Sequence, residues 1–295
     1  MYIDKHALRI RIFNATLAVL RQGGYVAPSG QKVTLPSVDE VMQAAYMYIE
    51  PLQLQRSSSG SVSTEVRVED NDCVLAAMAL IEAGYNPAML NLADLYTPGG
   101  LVEYGSGAQE ENLCRRSNLI LSLYQFSRSR VRQYSSLGLV NREEQYPMDE
   151  RFGGVYSGIV TFFREPESAD SQLLEKPCNI PVISVAALSG PRIGMDGLMY
   201  PEETAITLEK MRTIFRIGAL HGHDSLVLSA MGCGAFANPP AHIARLFHQV
   251  IEEDEFRNTF RLIDFAILDG YKTGLRHNPE GNLLPFQREF SDYSR

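Results

Sequence analysis

Apolar residues recur at helical spacing in the first segment of the chain, residues 4–22, which predicts an amphipathic helix. Gly23-Gly24 ends this pattern, and glycine commonly terminates helices. Pro28-Ser29-Gly30 then predicts a turn. A second helix is predicted over Ser37–Tyr48, because its first residue and Glu40 have the spacing of a capping box. The chain therefore begins with helical elements.

The pattern changes after a serine-rich link at residues 57–61. Residues 1–60 are predicted to form an N-terminal helical extension, and residues 61–295 the main domain. In the main domain, short apolar runs alternate with helical patterns, which predicts a parallel or mixed sheet covered by helices on both faces. The predicted strands are 64–68, 88–93, 181–186, 225–230 and 260–267. The predicted helices are 72–83, 110–125, 202–220 and 239–252.

Charge and cysteine usage narrow the range of functions. The net charge of −8 argues against broad binding to the nucleic-acid backbone, which requires an excess of Lys and Arg. It leaves room for a small anionic ligand, because main-chain N–H groups can hold a phosphate. The four cysteines lie far apart without zinc-site spacing, so reduced thiols in a cytoplasmic protein are expected. These cysteines are Cys73, Cys114, Cys178 and Cys233. No apolar run reaches transmembrane length.

Two glycine-containing loops follow predicted strands, where α/β proteins bind their ligands. The first is Leu95–Leu101 and contains Pro98-Gly99-Gly100. The second is Gly232–Pro240, and it runs from a strand through a Gly-x-Gly sequence into a helix. Glycine permits close approach of the main chain to a ligand, and a helix beginning near Pro239 adds its dipole and free N–H groups. This arrangement suits a diphosphate, although a tight turn without a ligand also explains a lone Gly-x-Gly.

A carboxylate pair lies shortly after the first loop, in Gln109-Glu110-Glu111. Acidic residues at a helix start also complement the helix dipole, and Glu111 with Arg115 has the spacing of a surface ion pair. Spacing alone favours that structural explanation. The double-glycine loop lies in the same strand-to-helix connection as the acids, and a second glycine loop follows a later strand. This context favours a catalytic role for the acids.

The motifs in this order resemble those of microbial-type poly(ADP-ribose) glycohydrolases, which are macrodomain proteins. The resemblance covers nearly the whole chain. It rests on Leu90-Asn91-Leu92-Ala93, Pro98-Gly99-Gly100, Gln109-Glu110-Glu111-Asn112-Leu113-Cys114-Arg115-Arg116-Ser117, Val155-Tyr156-Ser157 with Phe163-Arg164, Gly232-Cys233-Gly234-Ala235-Phe236, and an N-terminal stretch with Gly24-Tyr25 and residues 29–33. In two positions the chain departs from the family: Leu101 stands in place of a third glycine, and Thr97 in place of the usual Asn.

The resemblance implies a macrodomain-like three-layer α/β/α sandwich with a mixed, largely parallel sheet, and an enzyme that cleaves the ribose glycosidic bond of poly- or mono-ADP-ribose on proteins. It implies that Glu111 is the general acid and base, that Glu110 holds a ribose hydroxyl and that Gln109 fixes the triplet. It implies that Phe236 packs on the terminal ribose. The implied substrate-binding residues are Asn91, Pro98, Gly99, Gly100, Leu101, Gly232, Cys233, Gly234, Ala235 and Phe236. A monomer without metal or cofactor, binding neither nucleic acid nor membrane, is expected.

Two alternatives remain open at the level of sequence. Leu101 and Thr97 motivate a hydrolase specific for one mono-ADP-ribosyl linkage, on arginine or an acidic side chain. A reader that binds ADP-ribose without cleaving it is the other alternative. The carboxylate pair argues against a reader, because binding of ADP-ribose without cleavage does not require two acidic residues.

Overall fold

A computed structural model of the chain describes residues 4–54, 63–269 and 277–294. The described residues form two compact units, each assembled from separate segments of the chain. The first unit draws on residues 1–47, 93–148 and 155–184, and the second on residues 48–92, 149–154 and 185–295.

In the described chain, helices and strands alternate over residues 65–116 and 182–289, and elements of one type follow one another elsewhere. The α-helices are α1 Lys5–Gln22, α2 Val38–Gln43, α3 Cys73–Glu82, α4 Gln109–Arg116, α5 Leu119–Tyr124, α6 Arg128–Gln133, α7 Pro201–Leu220, α8 Pro240–Ile251 and α9 Leu283–Glu289. The strands are β1 Gly24–Val26, β2 Lys32–Thr34, β3 Ala45–Tyr48, β4 Glu65–Glu69, β5 Pro87–Ala93, β6 Gly154–Ser157, β7 Thr161–Arg164, β8 Leu173–Asn179, β9 Val182–Ala186, β10 Ser225–Leu228 and β11 Leu262–Ala266.

The main sheet has seven strands in the order β3-β6-β9-β5-β10-β11-β4. Strands β5, β10, β11 and β4 pair in parallel, whereas β6 pairs with β9 in the antiparallel direction. The sheet is therefore mixed and largely parallel, as predicted. Because β5 and β10 are parallel neighbours, their carboxyl ends lie at the same edge of the sheet. Strands β9, β10 and β11 are buried at every position, which is typical of strands covered on both faces.

Both ends of the first helix are capped, and its predicted end at Gly23 is confirmed. Asp4 caps α1 by accepting hydrogen bonds from the N–H groups of His6 and Ala7. Gly23 ends the helix in the left-handed conformation, with φ of 66°. The capping box of Ser37 and Glu40 is also present.

The second predicted helix is half as long as expected. Helix α2 ends at Gln43, and residues 45–48 form β3, at the edge of the seven-stranded sheet. The sequence Ala-Tyr-Met-Tyr alternates buried and less buried positions, which fits a pleated edge strand. Pairing in the sheet overrides the helical pattern here.

The helix predicted over residues 110–125 is two helices, α4 and α5. They separate at Ser117 and Asn118, where the chain pairs with the strand β7. Asn118 donates its N–H to the carbonyl of Thr161 at 3.3 Å, and its side-chain Oδ1 accepts from the Thr161 N–H at 2.8 Å. These two hydrogen bonds replace the helical pattern at that point.

The serine-rich link lies outside the described residues, and the domain boundary at residue 60 stays a prediction. In the described ranges, no helix is long and apolar enough to cross a membrane. The four cysteines are free thiols, as predicted.

Candidate active site

The loop that follows β5 is built around the side chain of Asp94. Its Oδ1 accepts hydrogen bonds from the N–H groups of Tyr96 at 2.8 Å and Thr97 at 2.7 Å. The Thr97 carbonyl then accepts from the Gly100 N–H at 2.9 Å. An aspartate that bonds to the main chain two and three residues ahead is a common way to start a tight turn. Asp94 therefore fixes the entry into the double-glycine segment.

Gly99 and Gly100 each occupy a position that a side chain would not fit. Both have positive φ, 75° and 56°, a region that other residues rarely adopt. A Cβ atom at Gly100 would lie 2.4 Å from Oε1 of Glu111, and one at Gly99 would lie 3.1 Å from the Tyr124 ring. The two glycines therefore allow the loop to lie directly against the carboxylates.

Glu110 is a buried carboxylate that spans the loop. Its side chain is 3% exposed, and it accepts hydrogen bonds from two main-chain N–H groups. Oε2 accepts from Asp94 at 2.8 Å, and Oε1 accepts from Gly99 at 3.1 Å. Glu110 thus joins the start of the loop to its first glycine.

Glu111 is equally buried but has a different set of contacts. The residue is 6% exposed, and Oε1 accepts a hydrogen bond from the Leu101 N–H at 2.9 Å. Oε2 is buried and has no hydrogen-bond partner among the described residues. A buried carboxylate oxygen without a partner costs free energy, so such atoms point to function. One oxygen of Glu111 is fixed by the Leu101 N–H, and the other has no partner in the described residues.

This burial argues against one structural explanation of the acid pair, the surface ion pair with Arg115. Glu110, Glu111 and Arg115 are all buried, so none of them belongs to a surface ion pair. Arg115 donates from Nη1 to the carbonyl of Ser106 at 2.6 Å, which holds the chain just before α4.

Leu101 fits the loop without strain, although a glycine occupies this position in the family that the sequence resembles. Its φ is −101°, which any residue adopts, and the residue is 54% exposed. Leu101 contacts the Glu111 carboxylate through its main-chain N–H, which donates a hydrogen bond to Oε1. The leucine therefore leaves the hydrogen bond to Glu111 in place and adds an exposed apolar group beside it.

Arg130 supports the loop from α6. Its Nη1 donates to Glu103 Oε1 at 2.7 Å, and its Nη2 donates to the Gly100 carbonyl at 3.4 Å. The guanidinium lies 5.2 Å from the centre of the Tyr124 ring, within the range of a cation–π contact. Glu103 also accepts hydrogen bonds from the side chains of Gln133 and Tyr134. This network fixes the turn that follows Gly100.

Neutral groups pack below the carboxylates. Burial raises the pKa of the Cys114 thiol well above its usual value, and the charges of Glu110 and Glu111 raise it further. Burial also raises the pKa of Tyr124 well above its usual range. Both groups therefore stay uncharged at neutral pH, and neither serves as a nucleophile.

Helix α1 packs against the segment between the glycines and α4. Arg9 forms a bidentate ion pair with Glu167, at 2.8 and 3.0 Å. A Cβ atom at Gly107 would lie 2.4 Å from Arg9 Nη1, and one at Gly105 would lie 2.4 Å from the His6 carbonyl oxygen. The predicted N-terminal helix thus holds the approach to the carboxylates in place.

The second glycine loop, in the other compact unit, is organised by Asn238. This fully buried side chain donates from Nδ2 to the carbonyls of Leu188 at 2.7 Å, Gly232 at 3.1 Å and Phe236 at 3.2 Å. A Cβ atom at Gly232 would lie 2.4 Å from this Nδ2, and Gly232 has a φ of 73°. Only glycine therefore fits where the loop passes over the amide.

Three successive N–H groups of this loop are available to a ligand. Within the part of the chain that the structure describes, the N–H groups of Gly234, Ala235 and Phe236 have no carbonyl partner, whereas Cys233, Ala237 and Asn238 donate within the loop. Adjacent free N–H groups form a concave site for an anion. Gly234 also has open space around it, with no atom within 4 Å of a Cβ added there.

The helix after this loop contributes less than expected. The N-cap and first residue of α8 are Pro239 and Pro240, which carry no N–H, and His242 and Ile243 donate to the Pro239 carbonyl. The expectation that the helix start adds several free N–H groups is wrong for this reason. The loop itself supplies them.

The structure groups the predicted site residues by loop. Gly99, Gly100, Leu101, Glu110 and Glu111 contact one another, and Pro98 is buried beside them in the chain. Gln109 is the first residue of α4, and Asn91 is fully buried in β5. Within the second loop, Ala235 is exposed, Phe236 is partly exposed and Cys233 is fully buried. Burial raises the pKa of the Cys233 thiol, and the Cys233 N–H already donates to the Ala230 carbonyl, so the predicted binding role of Cys233 has no free donor group behind it.

Sequence reasoning missed Asp94, Glu103, Arg130 and Asn238. Asp94 carries a local signal, because an aspartate two residues before a Tyr-Thr-Pro-Gly turn suits an Asx turn. Arg130 acts on Gly100 from 30 residues away in the sequence, so no local pattern reveals it. In the described ranges, no group of three His, Cys, Asp or Glu side chains is placed to hold a metal ion.

The chain is similar to known proteins in both sequence and structure. Residues 14–165 match the model of the microbial-type PARG catalytic domain. The crystal structure of poly(ADP-ribose) glycohydrolase from Thermomonospora curvata superposes with a TM-score of 0.76 at 28% identity, over 96% of this chain and 99% of that one. The same enzyme bound to the inhibitor ADP-HPD gives 0.73 at 27% identity over the same shares.

A second solved relative is poly(ADP-ribose) glycohydrolase from Deinococcus radiodurans in complex with ADP-ribose. It gives a TM-score of 0.66 at 28% identity, over 88% of this chain and 99% of that one. No curated protein matches the chain. The family match spans the double-glycine loop and the carboxylate pair, and it covers more than half of the sequence. This chain belongs to the family of microbial-type poly(ADP-ribose) glycohydrolase catalytic domains.

Proposed function

We propose that this chain hydrolyses the ribose–ribose glycosidic bonds of poly(ADP-ribose), with Glu111 as the general acid and base. One observation carries the assignment of Glu111. Its Oε1 is held by the Leu101 N–H at 2.9 Å, while its Oε2 is buried without a hydrogen-bond partner in the described chain. A catalytic carboxylate needs both properties, a fixed orientation and one oxygen that is able to exchange a proton.

The reaction follows from the chemistry of glycosides. As the bond between the ribose C1″ and the leaving oxygen breaks, positive charge develops on the ribose, and Glu111 gives its proton to that oxygen. Water then attacks C1″, and the Glu111 carboxylate takes the proton that the water loses. The products are free ADP-ribose and a shortened chain, and Glu111 is again protonated.

Glu110 has a positioning role in this proposal. Its two oxygens accept from the Asp94 and Gly99 N–H groups, so it sets the loop on which the Glu111 contact depends. The resemblance to the family also implies that Glu110 holds a ribose hydroxyl of the substrate. Gln109 begins the same helix and completes the triplet.

The second loop, taken by itself, is suited to bind an anion such as a diphosphate. The free N–H groups of Gly234, Ala235 and Phe236 are suited to its oxygens, and the partly exposed ring of Phe236 is suited to a ribose face. Solved structures of relatives hold ADP-ribose or ADP-HPD, which supports an ADP-ribose unit as the ligand of this family.

Two other functions have less support. A reader has no use for a buried carboxylate oxygen without a partner, because that atom costs stability and adds nothing to binding. A hydrolase restricted to one mono-ADP-ribosyl linkage was motivated by Leu101, yet Leu101 preserves the hydrogen bond to Glu111. Family membership favours the polymer as substrate.

The test is Glu111→Gln, compared with Glu143→Gln at an exposed loop position. We expect Glu111→Gln to lower release of ADP-ribose from poly(ADP-ribose) by at least about 100-fold, since general acid–base catalysis contributes roughly 10²–10⁴-fold. Binding of ADP-ribose, followed by calorimetry, remains. Full activity of Glu111→Gln would remove this residue from the mechanism.

We further propose that the enzyme acts as a monomer in the cytoplasm, where it reverses ADP-ribosylation of proteins. The free thiols of the four cysteines fit a reducing compartment. Size-exclusion chromatography of the purified protein tests the monomer, and fractionation of cells that express it tests the location.

A further inference from the structure

Two apolar side chains are exposed on the short turn that follows the double glycine. Residues Val102–Tyr104 form a 3₁₀ helix capped by Leu101, and the Tyr104 N–H donates to the Leu101 carbonyl at 3.0 Å. Leu101 and Tyr104, which are 54% and 68% exposed, stand at the two ends of this hydrogen-bonded turn, and the surface that they offer is here called the Leu101–Tyr104 face.

This face starts at the residue that orients the catalytic carboxylate. The Leu101 N–H donates to Oε1 of Glu111 at 2.9 Å, so Leu101, the first residue of the apolar face, directly contacts the proposed proton donor. Whatever carries the leaving oxygen must come close to Glu111 at the moment of proton transfer. The leaving group is therefore the part of the substrate expected to cover this face.

The turn is held rigidly on its other sides. Val102 is fully buried, and Glu103 is tied to Arg130 at 2.7 Å. Gly105 ends the turn with a φ of 74°, where a Cβ atom would lie 2.4 Å from the His6 carbonyl oxygen. The face is thus preformed, which lowers the cost of binding to it.

The chemistry of the polymer identifies the group that would lie there. In poly(ADP-ribose), the leaving oxygen is the 2′-oxygen of the ribose in the next unit, and that ribose carries adenine on the adjacent carbon. When Glu111 protonates this oxygen, the adenine ring is only three bonds away. A single ADP-ribose attached to a protein side chain has no base at this place.

We propose that the Leu101–Tyr104 face binds the adenine of the leaving ADP-ribose unit. The purine stacks on the Tyr104 ring and contacts the Leu101 side chain, since bases pack well on aromatic and apolar groups. The proposal rests on the proposed function of Glu111. It makes the bond between two ADP-ribose units a better substrate than the bond to a protein. Leu101 then contributes to the preference for the polymer.

The test compares two substrates that differ only in the base. One is the ADP-ribose dimer, and the other carries a methoxy group in place of the adenine on the leaving ribose and is otherwise identical. We expect Leu101→Ala with Tyr104→Ala to lower kcat/KM about tenfold on the dimer and less than twofold on the base-free substrate. Tyr104→Phe keeps the ring and is expected to keep the wild-type rate.

Tyr96→Ala is the matched control. Tyr96 is a 71% exposed tyrosine of the same loop and precedes the glycines, so it lies outside the 3₁₀ turn. We expect it to leave both rates within twofold of wild type. An equal loss on both substrates in the double variant would show a general effect on the loop and overturn the proposal, as would no loss on either.

The wild-type rates on the two substrates distinguish a wrong adenine site from a wrong assignment as a hydrolase. If the wild-type enzyme cleaves both substrates at similar rates, the adenine site is wrong and the hydrolase assignment stands. If the wild-type enzyme cleaves neither, both are wrong.

Discussion

A Cβ atom at Gly100 would lie 2.4 Å from Glu111 Oε1, closer than such atoms approach in proteins. The loop and the carboxylate are therefore packed so tightly that any side chain at position 100 would displace either the loop or the Glu111 side chain. The same Oε1 accepts the Leu101 N–H, so a displacement of the loop at Gly100 also breaks the hydrogen bond that orients the acid.

We expect Gly100→Ala to lower kcat on poly(ADP-ribose) about 100-fold, since a displacement of about 1 Å at a reacting group has an effect of this size. The added methyl group collides with Glu111, and the φ of 56° disfavours alanine as well. The matched control is Gly138→Ala. Gly138 has a φ of 79° but no atom within 4 Å of a Cβ added there, so this variant costs stability and leaves kcat unchanged. Equal kcat values for the two variants would contradict the tight packing described here.

Arg130 offers a test of the support behind the loop. Removing its side chain leaves Glu103, whose side chain is 18% exposed, without its ion-pair partner and leaves the Gly100 carbonyl without a donor. We expect Arg130→Ala to lower the free energy of unfolding by about 2–4 kcal/mol, because breaking a largely buried pair strands a charge. Urea unfolding measures the loss. Arg132→Ala, at an exposed position of the same helix, is expected to change stability by less than about 0.5 kcal/mol. A loss in Arg130→Ala no larger than that of the control would mean that the pair contributes nothing.

Asp264 provides a prediction about pH. Burial raises the pKa of this carboxyl from 3.8 to about 6, and the nearby charges of Glu69 and Glu65 raise it while Arg67 lowers it. Its Oδ1 has no hydrogen-bond partner among the described residues, so nothing there compensates the ionised form. The folded state binds the Asp264 proton more tightly than the unfolded chain does, so protonation of Asp264 stabilises the fold. This stabilisation is complete below about pH 3.8 and is lost as the pH rises through about 6.

We therefore expect Asp264→Asn to raise the free energy of unfolding at pH 7.5 by about 1–3 kcal/mol, with the gain shrinking as the pH falls from 6 to 4. Urea unfolding at several pH values measures this difference. Asp254→Asn is the control, since its side chain is 78% exposed, and it is expected to show no such trend. A gain for Asp264→Asn that is the same at every pH would contradict ionisation as the cause.

Local signals explain which parts of the fold were predictable. Caps act within a few residues, so Asp72 before α3 and the capping box at Ser37 are visible in sequence. The break between α4 and α5 depends on pairing between Asn118 and Thr161, which lie 43 residues apart. Short strands such as β7 have no long apolar pattern to reveal them.

The candidate site divides in the same way. The glycines and the acids stand out in the sequence because a double-glycine loop and an acid pair share one connection, and a second glycine loop follows a later strand. The difference between Glu110 and Glu111 is invisible in sequence, because it depends on which N–H groups each carboxylate meets. The fit of Leu101 was also hidden, since only the structure gives its φ of −101°.

The ion pair between Arg9 and Glu167 joins residues 158 positions apart in the chain. Contacts of such high sequence separation close large loops and tend to form late in folding. During synthesis, the first helix leaves the ribosome long before Glu167 does, so the segment between the glycines and the acids acquires its full support only after more than half of the protein has been made. We therefore expect catalytic competence to be a late event on the folding pathway, so that a partly folded chain that already contains both glutamates is still inactive.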